Sequence, residues 1–366
     1  MIPYGKQNID RNDIAAVEAV LQSEFLTQGP AVTRFEEALA LATGAPYAVV
    51  VNSGTAALHV AYLAAGIGEG DEVITTPNTF VATTNMLLAV GAVPVFCDIN
   101  LDTYNIDETK VETLVTPRTK AIVAVDFAGR PCAYAELRAI ANKHKLLLID
   151  DGAHSLGASY EGRPMGTAAD LTTVSFHPVK PITTAEGGAV LMSDKTLYDR
   201  ARLFRSHGVQ KDATGFNVMI ELGFNYRLPD VLAALGTSQL TRLDGFIVHR
   251  RQVALWYEKH LADCTDVVLP LPSDESGWHI YVIRVKAASD RKPLYEHLIK
   301  NGIGANFHYP AVYSHPYYRT HGYADIALPN MDVYHETCIT LPCHVHLKES
   351  DIEYVSSVIK NYFLQK

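Results

Sequence analysis

Residues 175–190, SFHPVKPITTAEGGAV, hold a single lysine in a short turn between two apolar segments. A strand predicted at Leu171–Phe176 leads into the turn, and another at Ala189–Met192 follows it. Prolines on both sides of Lys180 restrict the backbone there. An amine fixed at the end of a strand can form a Schiff base with a carbonyl compound. The alternative is a solvated surface lysine, and the rest of the chain decides between the two.

Seven apolar segments in the first 192 residues predict strands, and helical segments separate several of them. The predicted strands are Tyr47–Val51, Glu72–Thr76, Val93–Cys97, Ala121–Asp126, Leu146–Asp150, Leu171–Phe176 and Ala189–Met192. The predicted helices among them are Ala56–Ala65, Thr83–Val90 and Ala133–His144. This alternation indicates an α/β fold with a mainly parallel sheet covered by helices. Ligands of such sheets bind beyond the carboxyl ends of the strands.

A smaller α+β region is expected beyond the LPLP segment at 269–272. Its predicted elements are a strand at His279–Val285 and helices at Lys292–Lys300 and Glu349–Phe363. Residues 203–228 are predicted to form a long irregular connection, and such connections are often functional. We therefore expect a large domain over 1–245, including the N-terminal segment, and a small domain over 246–366.

Composition narrows the possible partners and the compartment. The net charge of −9 and the lack of a basic run argue against nucleic acid and anionic membranes as partners. The first ten residues, MIPYGKQNID, do not resemble a signal peptide, and no apolar run is long enough to cross a bilayer. Five scattered cysteines are typical of free thiols in a reducing cytoplasm. Cys343, His344 and His346 could form a metal site, but ordinary packing explains them better, so no metal is expected.

Two strand ends carry residues suited to a ligand. Ser53, Gly54 and Thr55 follow the first strand and open a helix, where free backbone N–H groups suit a phosphate. Helix capping by Ser53 explains this segment equally well. Phe80 follows the second strand, where its ring could stack on a flat cofactor or simply pack in the core.

A pair of carboxylates, Asp150 and Asp151, ends the apolar run LLLI, with His154 close behind. Burying such groups without a partner is costly, so a cation is expected nearby. The protonated nitrogen of a pyridine ring is one such cation, and this pairing keeps the ring an electron sink. Helix capping by Asp151 and a metal site formed with His154 are the alternatives.

Eight ordered segments then identify a resemblance that runs nearly end to end. They are LTQGP (26–30), NSGTAAL (52–58), PNTFVAT (77–83), DTYNID (102–107), DDGAHSLGA (150–158), the lysine segment, NYRLPDVLAALGTSQL (225–240) and HYP (308–310). Together they resemble the sugar-nucleotide aminotransferases, which use pyridoxal 5′-phosphate (PLP) to aminate keto sugars carried on nucleoside diphosphates. The resemblance implies the three-layer fold-type I architecture of PLP-dependent transferases and a smaller α+β C-terminal domain.

The resemblance also implies roles for individual residues. Lys180 resembles the lysine that forms the Schiff base and later moves a proton, and Asp151 resembles the carboxylate that pairs with the pyridine nitrogen. Phe80 is similar to the ring stacked on the cofactor, and His154 lies near that ring. The residues similar to the phosphate cradle are Gly54, Thr55, Ser175 and, from the other subunit, Asn225. The candidates for the sugar-nucleotide cleft are Tyr4, Leu26, Thr27, Gln28, Gly29, Ser53 and Tyr309. A homodimer with two shared active sites is expected.

The segment 177–184, HPVKPITT, resembles members of the family that act in pseudaminic acid synthesis. This implies a UDP-linked 4-keto-6-deoxy-N-acetylhexosamine as acceptor and L-glutamate as donor. Members that make perosamine, bacillosamine or aminoarabinose-type sugars are the alternative. Two positions depart from the expected pattern: Ala185 replaces a glycine, and Arg130 replaces a neutral residue, from where it could reach a diphosphate or the donor carboxylate.

Two other functions share the same resemblance. A PLP-dependent sugar dehydrase would carry histidine where this chain has Lys180. A regulator that binds PLP without catalysis would be favoured by loss of Lys180 or Asp151, and both residues are present. The sequence therefore favours the aminotransferase.

Overall fold

A seven-stranded sheet forms the centre of the larger part of the protein, in a computed structural model that describes residues 1–366. In spatial order its strands are Tyr47–Val51, Gly188–Met192, Leu171–Ser175, Leu147–Asp151, Thr119–Val125, Glu72–Thr75 and Val93–Phe96. Gly188–Met192 runs antiparallel to both neighbours, and the other pairs are parallel. The predicted strands and the mainly parallel α/β sheet are therefore confirmed, with ends that differ by one or two residues.

Helices cover the sheet and bury its apolar faces. The longer helices are Arg11–Leu21, Pro30–Thr43, Gly54–Ala64, Ala82–Ala89, Tyr134–His144, Lys195–Arg205, Asp230–Leu240, Leu243–Leu261, Arg291–Lys300, Pro329–Thr337 and Glu349–Leu364. Helix Lys195–Arg205 was not predicted, because its sequence KTLYDRARLFR is rich in charged residues and buries only Ala201 and Phe204. Its N-terminus is capped by Asp194, which accepts hydrogen bonds from the N–H groups of Thr196 and Leu197.

The C-terminal part contains a second, antiparallel sheet of three strands, Val267–Val268, Tyr281–Val285 and Cys338–Leu341. Helices Leu243–Leu261 and Glu349–Leu364 pack together in the same apolar cluster. The strand predicted from His279 begins at Tyr281, and Cys338–Leu341 was not predicted. The division at residue 245 remains a prediction, and it falls inside the helix that starts at Leu243.

The connection at 203–228 is more regular than predicted. Residues Val209–Lys211 and Asn217–Met219 pair as an antiparallel hairpin, which corrects the expectation of an irregular loop. The strands are only three residues long and lie largely at the surface, so burial leaves no alternating pattern in the sequence. The hairpin presents several apolar side chains to solvent.

The turn that carries Lys180 is closed by hydrogen bonds at its base. The N–H of Phe176 donates to the carbonyl oxygen of Gly187 at 2.9 Å, and the N–H of Thr184 donates to that of Phe176 at 3.0 Å. Within the turn, the N–H of Lys180 donates to the carbonyl oxygen of His177 at 2.9 Å. Ala185 has a φ of 65°, in the left-handed region that favours glycine. The backbone of the turn is thus held firmly, with one strained residue.

The cysteine and histidines near 343–346 contact backbone carbonyls. Cys343 Sγ lies 3.2 Å from the carbonyl oxygen of Trp278. Nε2 of His344 and Nε2 of His346 each lie 3.1 Å from the carbonyl oxygens of Pro3 and Gln7, respectively. The two histidine contacts join the N-terminal segment to the C-terminal part of the chain. No group of three or more His, Cys, Asp or Glu side chains is arranged to hold a metal ion, and none of the helices could span a bilayer.

Candidate active site

A cavity of about 600 Å³ lies at the carboxyl ends of the parallel strands, where ligands of such sheets bind. It brings together side chains from segments far apart in sequence. The predicted cofactor residues that line it are Gly54, Thr55, Phe80, Asp151, His154, Ser175 and Lys180. Tyr4, Ser53 and Tyr309 from the predicted sugar-nucleotide cleft line it as well.

Lys180 is the only lysine in the cavity wall. Burial lowers the pKa of its amine to about 8, and the charge of Arg250 acts in the same direction. The carboxylate of Asp151 partly opposes both effects. At neutral to mildly alkaline pH this amine therefore loses its proton far more readily than a surface lysine, as a nucleophile requires.

Asp151 ends the strand Leu147–Asp151, and two donors hold its carboxylate. The hydroxyl of Thr83 donates to Oδ2 at 2.6 Å, and the N–H of Ala153 donates to Oδ1 at 3.2 Å. Burial raises the pKa of Asp151, while Thr83, the Ala153 N–H and Lys180 lower it. Thr83 also lies 2.6 Å from the hydroxyl of Thr79. Because Thr83 has one hydroxyl proton, we assign it to the carboxylate, and Thr79 then donates to Thr83.

His154 has both ring nitrogens occupied. Nδ1 accepts a hydrogen bond from the N–H of Ala128 at 3.2 Å, and Nε2 lies 3.1 Å from the hydroxyl of Tyr309. With Nδ1 acting as acceptor, the proton of the neutral ring sits on Nε2 and is donated to Tyr309. Burial and the nearby charge of Lys180 lower the pKa of His154 well below its usual range, so the ring is neutral.

The start of helix Gly54–Ala64 forms a narrow cradle against the end of strand Leu171–Ser175. A Cβ atom added at Gly54 would lie 2.9 Å from Cβ of Ser175, so glycine is required for this close approach. Ser53 caps the helix, its Oγ accepting from the N–H of Ala56 at 3.0 Å. The remaining free N–H groups and the positive end of the helix dipole suit a phosphate here. Capping and phosphate binding are thus compatible, rather than alternatives.

Five predicted residues lie outside the cavity of the single chain. Leu26, Thr27, Gln28 and Gly29 are exposed or half-buried, and the N–H of Gly29 donates to Oδ2 of Asp230 at 2.8 Å. Asn225 is exposed, and its carbonyl oxygen accepts from Nδ2 of Asn52 at 3.4 Å. Their roles remain predictions.

Arg130 is engaged elsewhere. Its guanidinium donates to the carbonyl oxygens of Leu271 and Pro272, and it does not line the cavity. The expectation that Arg130 could reach a diphosphate or a donor carboxylate is therefore not met in this structure. Arg130 instead joins the LPLP segment to the larger sheet region.

Three residues of the site were not predicted from the sequence. Thr83 lies inside the quoted segment PNTFVAT, but its contact with Asp151 depends on the packing of two distant segments. His279 and His308 come from the C-terminal part and line the cavity near Lys180. A histidine at the start of a predicted strand gives no local signal of such a position.

Comparisons with known proteins agree with this geometry. The DegT/DnrJ/EryC1/StrS aminotransferase family matches residues 7–360. The chain is 40% identical to the UDP-4-amino-4,6-dideoxy-N-acetyl-β-L-altrosamine transaminase of Campylobacter jejuni, covering 98% of this chain and 96% of the relative. Helicobacter pylori PseC, an aminotransferase of pseudaminic acid biosynthesis, superposes with a TM-score of 0.95 at 36% identity, with full coverage of both chains. Spr1654 of Streptococcus pneumoniae, solved in its PLP form, gives a TM-score of 0.94 at 29% identity, covering 100% of this chain and 99% of that one. The predicted family is confirmed: the chain belongs to the DegT/DnrJ/EryC1/StrS aminotransferase family.

Proposed function

We propose that the protein is a PLP-dependent aminotransferase that moves an amino group from L-glutamate to C4 of a UDP-linked 4-keto-6-deoxy-N-acetylhexosamine. The product is UDP-4-amino-4,6-dideoxy-N-acetyl-β-L-altrosamine. The observation that carries the reaction class is a half-buried lysine and a buried carboxylate facing one cavity beside a helix N-terminus. The Campylobacter and Helicobacter relatives support the choice of sugar.

The cavity residues fit PLP in charge and shape. The cradle of Gly54, Thr55 and Ser175 accommodates the phosphate, because a side chain at Gly54 would fill it. Asp151, held by two donors and lacking an ion-pair partner in the chain, suits the pyridine nitrogen. Phe80, with 57% of its surface exposed, is free to stack on the ring. When bound, PLP supplies an electron sink for the carbon that loses its proton.

Residues of the chain itself supply proton transfer, charge stabilisation and orientation. Nζ of Lys180 binds the cofactor and, once released, carries a proton to and from the reacting carbon. Asp151 keeps a negative charge behind the ring, and Thr83 keeps that carboxylate in place. His154 orients Tyr309 through its Nε2 proton. The two half-reactions, donor first and keto sugar second, predict ping-pong kinetics.

We further propose a homodimer with shared active sites. The hairpin region exposes Phe216, Met219, Ile220 and Leu222, with between 51% and 73% of each residue's surface accessible. Such a cluster of apolar side chains is typical of an interface. Asn225 follows the cluster, and its predicted contact with the phosphate of the other subunit agrees with its position outside the cavity of its own chain. We also propose that the chain divides into two domains, 1–245 and 246–366, and that the protein is cytoplasmic.

The substrate assignment can be tested with a panel of 4-keto sugars linked to UDP, dTDP and GDP. We expect more than one equivalent of 2-oxoglutarate per active site to form from glutamate only when the UDP-linked hexosamine is added, with the aminated sugar identified by mass spectrometry and NMR. Lys180→Ala is the control and should give none. Turnover of a dTDP- or GDP-linked sugar alone would overturn the sugar assignment, and no turnover with any of them would overturn the reaction.

A further inference from the structure

His279 is a buried imidazole without a hydrogen-bond partner at either ring nitrogen. It is 4% exposed, and its Nδ1 is fully enclosed and unpaired. The ring lines the cavity, and its centroid lies 4.4 Å from that of His154. Because the enclosed Nδ1 cannot reach a ligand, Nε2 is the nitrogen of this ring that is open to the cavity, and it makes no hydrogen bond within the chain. An unpaired nitrogen at a cavity wall indicates a ligand contact.

The backbone of His279 is held from two sides. Its N–H donates to the carbonyl oxygen of Ala128 at 2.9 Å, and its own carbonyl oxygen accepts from Nη1 of Arg250 at 2.9 Å. The N–H of the same Ala128 donates to Nδ1 of His154. Ala128 therefore holds the backbone of His279 and the ring of His154, which keeps the two side chains next to each other at the cavity wall.

The other histidines of the cavity differ from His279. His154 uses both nitrogens, as described above. Nδ1 of His308 lies 2.9 Å from the hydroxyl of Thr340, and Nε2 lies 3.5 Å from Nδ2 of Asn306. His177 is exposed and His315 is half-buried. His279 is thus the buried imidazole of this cavity that remains free to bind a substrate.

The cavity wall contains no arginine. Arg250 is close enough for its charge to lower the pKa of Lys180, but it binds the carbonyl oxygens of Trp278, His279 and Cys343 and does not line the cavity. Apart from Lys180 itself, the donors that this chain offers to a carboxylate entering beside Lys180 are therefore neutral.

The chemistry of the two substrates decides which of them needs such a donor. In an amino acid, the α-carboxylate is attached to the carbon that loses its proton to Lys180. In the keto sugar, the reacting carbon is C4, and the diphosphate sits on the far side of the ring at C1. An anion next to the reacting carbon is therefore present only in the first half-reaction.

We propose that His279 binds the α-carboxylate of the amino donor, and that its neutrality lets the same site accept an uncharged sugar next. An arginine at this position would leave a buried cation unpaired whenever the sugar occupies the site, which is strongly unfavourable. A neutral imidazole can donate to a carboxylate in one half-reaction and to a hydroxyl in the other. Burial and the charge of Lys180 lower the pKa of His279 well below its usual range, in agreement with a neutral ring. This inference rests on the proposed function and adds the group that selects the donor.

The test compares L-glutamate with its α-amide, L-isoglutamine, and its γ-amide, L-glutamine, in wild type and His279→Phe. The first half-reaction is followed by the change in cofactor absorbance when the donor is added. In H279F the preference for glutamate over isoglutamine should fall about 10- to 100-fold, the range for one hydrogen bond to a charged group. The preference for glutamate over glutamine should stay within about threefold, because the γ-carboxylate is not the group that His279 contacts.

A second variant covers the possibility that H279F folds poorly. His279→Gln keeps an N–H on a shorter side chain, and its preference for glutamate over isoglutamine should fall about 3- to 10-fold. The inference is overturned if a variant that retains PLP keeps the wild-type preference for glutamate over isoglutamine. It is also overturned if the preference for glutamate over glutamine falls as far as the preference for glutamate over isoglutamine. If wild type aminates no keto sugar, the proposed function fails, whereas a wild type that aminates the sugar with an unchanged preference in H279F refutes only the role of His279.

Discussion

The hydroxyl of Thr83 offers a sharp test of how the buried carboxylate of Asp151 is kept ionised. Thr83→Val keeps the shape of the side chain but removes the 2.6 Å hydrogen bond to Oδ2. Both residues are buried, so solvent cannot replace the lost donor. A hydrogen bond to a charged group contributes about 1.5–3 kcal/mol, and about 1.4 kcal/mol corresponds to a tenfold change in affinity. We therefore expect the Kd for PLP to rise about 10- to 100-fold in T83V.

The direction of the pH effect follows from the same contact. Thr83 lowers the pKa of Asp151, so removing it raises that pKa. Since the carboxylate is ionised only above its pKa, the acidic limb of PLP binding and of kcat/KM should move to higher pH. Equilibrium titration with PLP across a pH series, by absorbance or fluorescence, measures both quantities.

The neighbouring threonine supplies a matched control. Thr84 is equally buried and lies on the same helix, but its hydroxyl lies 2.7 Å from that of Tyr318 rather than near Asp151. Thr84→Val should lower the free energy of unfolding about as much as Thr83→Val does, but should leave the pH profile of PLP binding as it is in wild type. The explanation is refuted if the T83V and wild-type profiles coincide, or if T84V shifts its profile as far as T83V does.

Three further outcomes are expected. Ala185→Gly should raise the free energy of unfolding by about 1 kcal/mol, measured by denaturant titration, because Ala185 has a φ of 65°; an unchanged or lower value would contradict the strain. The rate at which apo-enzyme captures PLP should rise about tenfold per pH unit and level off near pH 8, because the pKa of the Lys180 amine is lowered to about 8; a rate still climbing at pH 10 would indicate an ordinary lysine. Arg130→Gln should lower stability by about 1 kcal/mol through the lost contacts with Leu271 and Pro272, and leave the KM of glutamate and keto sugar unchanged; a raised KM for either would place Arg130 in the site.

Local patterns in the sequence were sufficient for the larger sheet. Its strands are continuous apolar runs because both of their faces are buried, and the order of strands and helices restricts the pairing to a mainly parallel sheet. The turn around Lys180 and the start of the helix at Gly54 could also be predicted, since prolines, glycines and capping residues determine the backbone conformation of their immediate neighbours. The surface hairpin at 209–219 was not predicted, because its residues are mostly exposed and therefore show no alternation of apolar and polar side chains.

Position within the site depended on contacts between distant segments. The sequence alone places Lys180, Asp151, His154 and Phe80 at strand ends, and these ends meet at one edge of the sheet. It does not show that Thr83 supports Asp151 or that Arg130 turns away toward Leu271, because these contacts join residues 68 and 141 positions apart. Nor does it show that His279 is unpaired and faces the cavity, since that depends on how the C-terminal part packs on the larger sheet. Residue order determined the elements and the reactive groups, whereas the packing between elements decided which of those groups have partners and which are left for a substrate.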